Sequence, residues 1–149
     1  MDQRVRVLIA DYDAHTRRGL QALLTAWPEI EVVGMVANGV DVIQLVEKCR
    51  PDVALMDIPM PVSALSRGPE RPFGFAQDGR EGSVEGMEGL EAIRLIKSRW
   101  PQVRIVVLTM YTAHRAAALA AGADAFLLKG CPAQDLLEAI VSQASIERG

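Results

Sequence analysis

Residues 103–128 read VRIVVLTMYTAHRAAALAAGADAFLL. A β-branched run, Val103–Thr109, gives way to an alanine-rich helical stretch, Thr112–Ala121, which Gly122 closes as a left-handed cap. A second apolar run, Ala125–Leu128, follows at once. Most of the β-branched runs in the chain read as continuously apolar rather than alternating, the mark of strands covered on both faces. Strand, helix and strand in such close succession predict two parallel strands joined by a right-handed crossover.

The same unit recurs toward the N-terminus. Val5–Ala10 (VRVLIA), Glu31–Ala37 (EVVGMVA) and Val53–Asp57 (VALMD) are further strands. Between them Leu20, Leu23, Leu24 and Trp27 recur at helical spacing, as do Val42, Leu45, Val46 and Cys49, and Leu90, Ile93 and Ile96. Pro28, Pro51 and Pro101 each follow a helix where it must stop. Pro132 opens a last helix that buries Leu136, Leu137, Ile140 and Val141. Five such units predict a doubly wound α/β sheet of five parallel strands, with chemistry outside the carboxyl ends of the strands.

Composition narrows the function classes. The chain has 149 residues, enough for one domain with a core of its own. Sixteen basic residues stand against nineteen acidic, a net charge of −3 without long runs of either sign. That argues against a nucleic-acid or anionic-membrane surface. No apolar stretch approaches the ~18–20 residues a bilayer demands, and the N-terminus does not read as a signal peptide. Cys49 and Cys131 are the only cysteines, as expected of a cytoplasmic chain, and both read as small semi-buried side chains. One stretch breaks the rhythm. Val62–Glu85, VSALSRGPERPFGFAQDGREGSVE, is punctuated by Gly and Pro without helical or strand period, and is expected to be an inserted flexible loop.

Four strand ends carry polar residues. The first strand runs into Asp11, Tyr12 and Asp13, the third into Asp57, the fourth into Thr109 and the fifth into Lys129. In the expected topology these converge on one crevice. Crowded carboxylates need a counter-charge, and Mg²⁺ suits them where phosphate is handled. An ammonium and a hydroxyl suit the oxygens of a phosphoryl group, and a carboxylate there can be the nucleophile that becomes an aspartyl-phosphate.

VRVLIAD with TRRGLQALL behind it, PDVALMDIPMP, GMEGLEAIRLIKSRWP, VRIVVLTMYT and AGADAFLLKGCP follow one another in an order that resembles a receiver domain of a two-component response regulator. The likeness is nearest to receivers joined to a LuxR-type helix-turn-helix, and it covers the chain apart from Val62–Glu85. It implies a flavodoxin-like fold with strand order 2-1-3-4-5 and a single receiver domain over 1–149. It also implies phosphotransfer from a partner histidine kinase. By position, Asp57 matches the phosphoacceptor and Asp11 the first of the acidic pair that holds Mg²⁺, with the backbone carbonyl of Pro59 a further metal ligand. Thr109 matches the switch hydroxyl, Lys129 the lysine that pairs with the phosphoryl group, and Phe126 the aromatic switch position. The segment Thr112–Ala121 with Phe126, the face of the fourth helix and fifth strand, is the expected homodimer or effector contact.

The chain departs from that pattern at three places. Tyr12 stands where the second metal-binding acid is expected, and a phenol with a pKa near ~10 is a poor Mg²⁺ ligand. Asp13 substitutes for it only if the loop bends inward. The insert separates Pro61 from Gly86, beside the acceptor; it reads as inert or mildly harmful, with a lid or a docking arm as alternatives. No basic recognition helix follows the fifth unit, so no nucleic-acid binding is expected of this segment.

The primary expectation is therefore a phosphorylation-dependent switch, with no enzyme activity beyond self-phosphotransfer and slow self-dephosphorylation. One rival is a pseudo-receiver that works as a phosphorylation-independent interaction module. Another is a phosphohydrolase using Asp11-Tyr12-Asp13 as its DxD motif, although that leaves Asp57 unexplained. His15 and His114 lack ligand spacing and read as surface histidines.

Overall fold

The structure, a computed structural model, describes residues 4–58 and 81–148, with side chains described outside 81–88 and 142–148. Five strands, β1 (Val5–Ala10), β2 (Ile30–Val36), β3 (Val53–Met56), β4 (Arg104–Thr109) and β5 (Ala125–Leu128), form one sheet in the order β2-β1-β3-β4-β5. Every pairing is parallel. Helices α1 (Ala14–Thr25), α2 (Gly39–Cys49), α3 (Glu81–Arg99), α4 (Arg115–Ala121) and α5 (Ala133–Arg148) make the connections. This is the expected flavodoxin-like topology.

The unbroken apolar runs have a direct cause. Successive strand residues face opposite sides of the sheet. Leu8, Ala54, Met56, Ile105 and Val107 pack on one side with Val42 and Val46 of α2, Ile93 and Ile96 of α3 and Ala118 of α4. Val7, Ile9, Leu55, Val106 and Leu108 pack on the other with Leu24 of α1 and Leu136, Leu137 and Ile140 of α5. With helices over both faces, neither set can be polar. Leu24 and Ile140 are wholly buried, so truncating either to Ala should cost about 2–5 kcal/mol.

Several boundaries differ from expectation. The insert expected over Val62–Glu85 lies outside the described residues as far as position 80, but its last five positions belong to α3, which starts at Glu81. Val84, Met87, Leu90, Ile93 and Ile96 repeat every three residues, so the helical register runs back into a stretch whose glycines read as loop. The helix expected over Thr112–Ala121 is split: Thr112–His114 is a tight 3₁₀ turn and only Arg115–Ala121 is α-helical. Pro132 stands just before α5, and its carbonyl accepts the amides of Asp135 (2.9 Å) and Leu136 (3.4 Å). β3 ends at Met56, which leaves Asp57 just past the ladder.

Candidate functional site

Register brings the strand ends together. Ala10 lies opposite Met56, so the residues that follow, Asp11 and Asp57, leave the sheet side by side. The Asp57 amide donates to the Ala10 carbonyl (3.0 Å) and the Asp11 amide to the Val36 carbonyl (3.0 Å), extending the ladder one step past the strands. At the other edge Thr109 pairs with Leu128, and the Lys129 amide donates to the Thr109 carbonyl at 2.7 Å. The backbones of these side chains are therefore tied to the sheet.

Lys129 reaches back across β4. Its ammonium lies 2.9 Å from Asp11 Oδ2 and 3.1 Å from Asp57 Oδ2. The other Asp11 oxygen, Oδ1, accepts the Asp13 amide at 2.9 Å. Asp11 is only 2% exposed, so its charge depends on these two donors. Burial, reinforced by the negative charge of Asp11, pushes the Asp57 carboxyl up from its ordinary 3.8 to about 6, against the pull of the Lys129 ammonium and the Thr109 hydroxyl. Burial works against the Lys129 ammonium as well, but hydrogen bonds and charge from both carboxylates outweigh it and raise its proton affinity. One cation thus bridges two carboxylates, and the site carries an excess negative charge.

Thr109 is fully buried. Its hydroxyl donates to the Ile58 carbonyl and accepts, at 3.4 Å, the amide of Tyr111, which leads into the 3₁₀ turn. Phe126, on β5, is half-buried and packs against the core shared by α2, α3 and α4. Pro59, the expected carbonyl ligand, lies outside the described residues. Tyr12 is 44% exposed. Asp13 is exposed too, and its carboxylate accepts the Thr16 hydroxyl at 2.8 Å, which holds its proton affinity below the ordinary value. Asp13 thus faces the first turn of α1, while its amide serves Asp11. Neither this amide nor Arg17, whose guanidinium touches the same loop, is among the site residues expected from the sequence. An arginine one turn into the helix behind a strand-end carboxylate was the available signal.

Next to the 3₁₀ turn the surface is apolar. Met110 is 64% and Tyr111 53% exposed, with Leu119 of α4 and Leu128 of β5 also open to solvent. His114 touches the Tyr111 ring edge-on, with ring centroids 5.7 Å apart, and His15 is exposed.

The donor chemistry fits a hard divalent cation. Mg²⁺ is commonly held by one or two carboxylates and completes its shell with water and phosphate oxygens. Asp11 and Asp57 supply the two carboxylates here. Among the described residues no group of three or more His, Cys, Asp or Glu side chains could hold a metal. The two carboxylates that the Lys129 ammonium draws together are those of Asp11 and Asp57. Among the same residues no helix is long and apolar enough to cross a membrane.

Comparison with known proteins agrees with this geometry. The family model of the response regulator receiver domain matches residues 82–141. The chain is 30% identical over 136 residues to the transcriptional regulatory protein YhcZ of Bacillus subtilis, a match covering 90% of this chain and 52% of that protein. It is 31% identical over 112 residues to a protein-glutamate methylesterase/protein-glutamine glutaminase of Pyrococcus horikoshii, covering 75% of this chain and 24% of that one. The signal receiver domain of the putative response regulator NarL from Mycobacterium tuberculosis is similar in fold, with a TM-score of 0.75 at 25% identity, over 96% of this chain and 98% of that structure. The chain thus spans about half the length of the first relative and about a quarter of the second.

Proposed function

The chain belongs to the response-regulator receiver domains of two-component systems, and from that premise we propose that Asp57 accepts a phosphoryl group from a sensor histidine kinase. The observation that carries the reading is the Lys129 ammonium within 3.1 Å of carboxylates from two different strands. A carboxylate oxygen of Asp57 attacks the phosphorus of a phosphohistidine. The P–N bond breaks as the P–O bond forms, and the imidazole leaves with the electron pair and takes up a proton. Asp57 must be ionised to attack, and in the metal-free protein its raised pKa of about 6 still leaves it largely ionised at pH 7. Asp11 and Asp57 would hold Mg²⁺, which when bound supplies positive charge against the phosphoryl oxygens. Lys129 then trades its carboxylate contact for a phosphoryl oxygen, and the Thr109 hydroxyl trades the Ile58 carbonyl for another.

The new charge of roughly −1.5 to −2 shifts the balance between two packings of the surface around α4 and β5. Met110, Tyr111, Leu119 and Leu128 supply exposed apolar area there for a second copy or an effector. We read the chain as a single receiver domain with a sequence insert between Pro61 and Gly86, acting in the cytoplasm, with DNA contact assigned outside this segment. The phosphohydrolase alternative is disfavoured, because it leaves Asp57, which shares the Lys129 ammonium with Asp11, without a role.

Tyr12 and Asp13 favour a second reading, the pseudo-receiver. One is a phenol at the second acidic position, and the other is turned toward Thr16. Incubation with Mg²⁺ and acetyl phosphate followed by intact-mass measurement separates the two. The switch requires one phosphoryl adduct on the wild type and none on Asp57→Asn. An unmodified wild type establishes the pseudo-receiver.

A further inference from the structure

The loop between β1 and α1 holds Asp11, the single carboxylate that this end of β1 directs at Asp57. Arg17, half-buried and one turn into α1, folds back over that loop. One of its terminal nitrogens, Nη1, donates to the Asp11 carbonyl at 2.7 Å and to the Tyr12 carbonyl at 3.1 Å. The backbone of Arg17 is anchored in turn, since its amide donates to the Asp13 carbonyl at 3.0 Å. Successive carbonyls of Asp11, Tyr12 and Asp13 are thus all bound by one residue. Inside that clamp the Asp13 amide meets Asp11 Oδ1, which leaves Oδ2 for Lys129.

From this geometry we infer that Arg17 is a positioning residue for the phosphoacceptor site, acting through the backbone of Asp11 and Tyr12 to aim the Asp11 carboxylate. The inference rests on the reading of Asp11 as a metal-holding carboxylate. The replacement at Tyr12 makes the orientation of Asp11 weigh more in this chain. Two acids at a strand end tolerate some play, because either can complete the site, whereas a single carboxylate must be held in one orientation. The same clamp keeps the loop from bending inward, so Asp13 stays with the Thr16 hydroxyl. The charge of Arg17 enters only by making these carbonyl bonds strong. Groups that orient a metal ligand from behind are typically worth 10–100-fold in affinity.

The test compares wild type, Arg17→Met and Arg17→Lys by two measurements that need no phosphoryl donor. Amide hydrogen exchange at Asp13 reports directly on its bond to Asp11 Oδ1, with the core amide of Leu8 as control. Calorimetric titration with Mg²⁺ reports on the aimed carboxylate. Arg17→Met should speed Asp13 exchange several-fold with Leu8 unchanged, and should weaken Mg²⁺ binding about 10-fold. Arg17→Lys, which keeps the charge and can still donate to a carbonyl, should fall between the two. An arginine that merely braced α1 would lower the melting temperature and leave both measurements at their wild-type values, and that result overturns the inference. If Arg17→Met does not fold, Arg17→Lys carries the test, and wild-type Mg²⁺ affinity in that variant is the overturning result. Should the wild type bind Mg²⁺ yet fail to accept a phosphoryl group, the switch reading falls while these comparisons still decide the role of Arg17.

Discussion

Replacing Asp57 with Asn should stabilise the protein at neutral pH. In the folded chain this carboxyl holds its proton up to about pH 6, against an ordinary value of 3.8. Between those two values the folded state binds more protons than the unfolded state, so stability falls as pH rises through the window. Below pH 3.8 Asp57 is neutral in both states and the penalty is absent; above pH 6 it is present in full. Each tenfold change in proton affinity corresponds to ~1.4 kcal/mol, so the ionised form costs at most about 3 kcal/mol. The side chain is only 15% exposed, so solvent screens little of this. Asp57→Asn has nearly the same shape and cannot ionise. In the presence of a chelator it should exceed wild type by about 1–3 kcal/mol at pH 7, which for a chain of this size raises the melting midpoint by several degrees. The margin should shrink to about a third of that at pH 4.5. Urea unfolding of both proteins between pH 4.5 and 8 measures it. If the variant is no more stable than wild type at pH 7, or if the margin is the same at both ends of the range, then burial and Asp11 do not raise the proton affinity of Asp57.

Three further outcomes follow from the same geometry. Protons compete with metal for Asp57, so Mg²⁺ affinity should fall about tenfold between pH 7 and pH 5; calorimetry across that range checks it, and a flat profile would mean the metal does not use this carboxylate. Tyr12→Asp restores an acid beside Asp11 and should tighten Mg²⁺ binding by roughly tenfold; equal affinities for the two proteins would remove Tyr12 as a cause of weak binding. Gly122→Ala should destabilise the fold by at least about 1 kcal/mol, because Gly122 sits at φ +120° and an added Cβ would lie 2.8 Å from Cγ of Lys97; an unchanged urea midpoint would refute this.

Parts of the fold were legible in the sequence because local chemistry leaves them little choice. The runs Val5–Ala10 and Ala125–Leu128 coincide with β1 and β5, since a short, mostly apolar run between helical stretches fits a strand covered largely by helices. The convergence of Asp11, Asp57, Thr109 and Lys129 was legible for a different reason, because parallel strands all deliver their carboxyl ends to one edge. The start of α3 was misread. Gly82, Gly86 and Gly89 lower helix propensity by about 1 kcal/mol each, and composition gave way to a three-residue apolar repeat that continues the helix through them. The split of the fourth helix into a 3₁₀ turn and α4 was likewise hidden, because an alanine-rich stretch is compatible with either.

What the sequence alone determined was the order of elements and the set of polar residues at the strand ends. Both depend on alternation, spacing and residue type, which are properties of neighbouring positions. Tertiary structure decided the rest: that Lys129 bridges two carboxylates, that Asp13 offers its amide to Asp11 while its side chain turns to Thr16, and that Arg17 holds the carbonyls behind them. Those outcomes depend on directions in space. A side chain's direction is set by the backbone it leaves and the groups it meets, and for Lys129 and Asp57 those groups lie 72 residues apart in the chain.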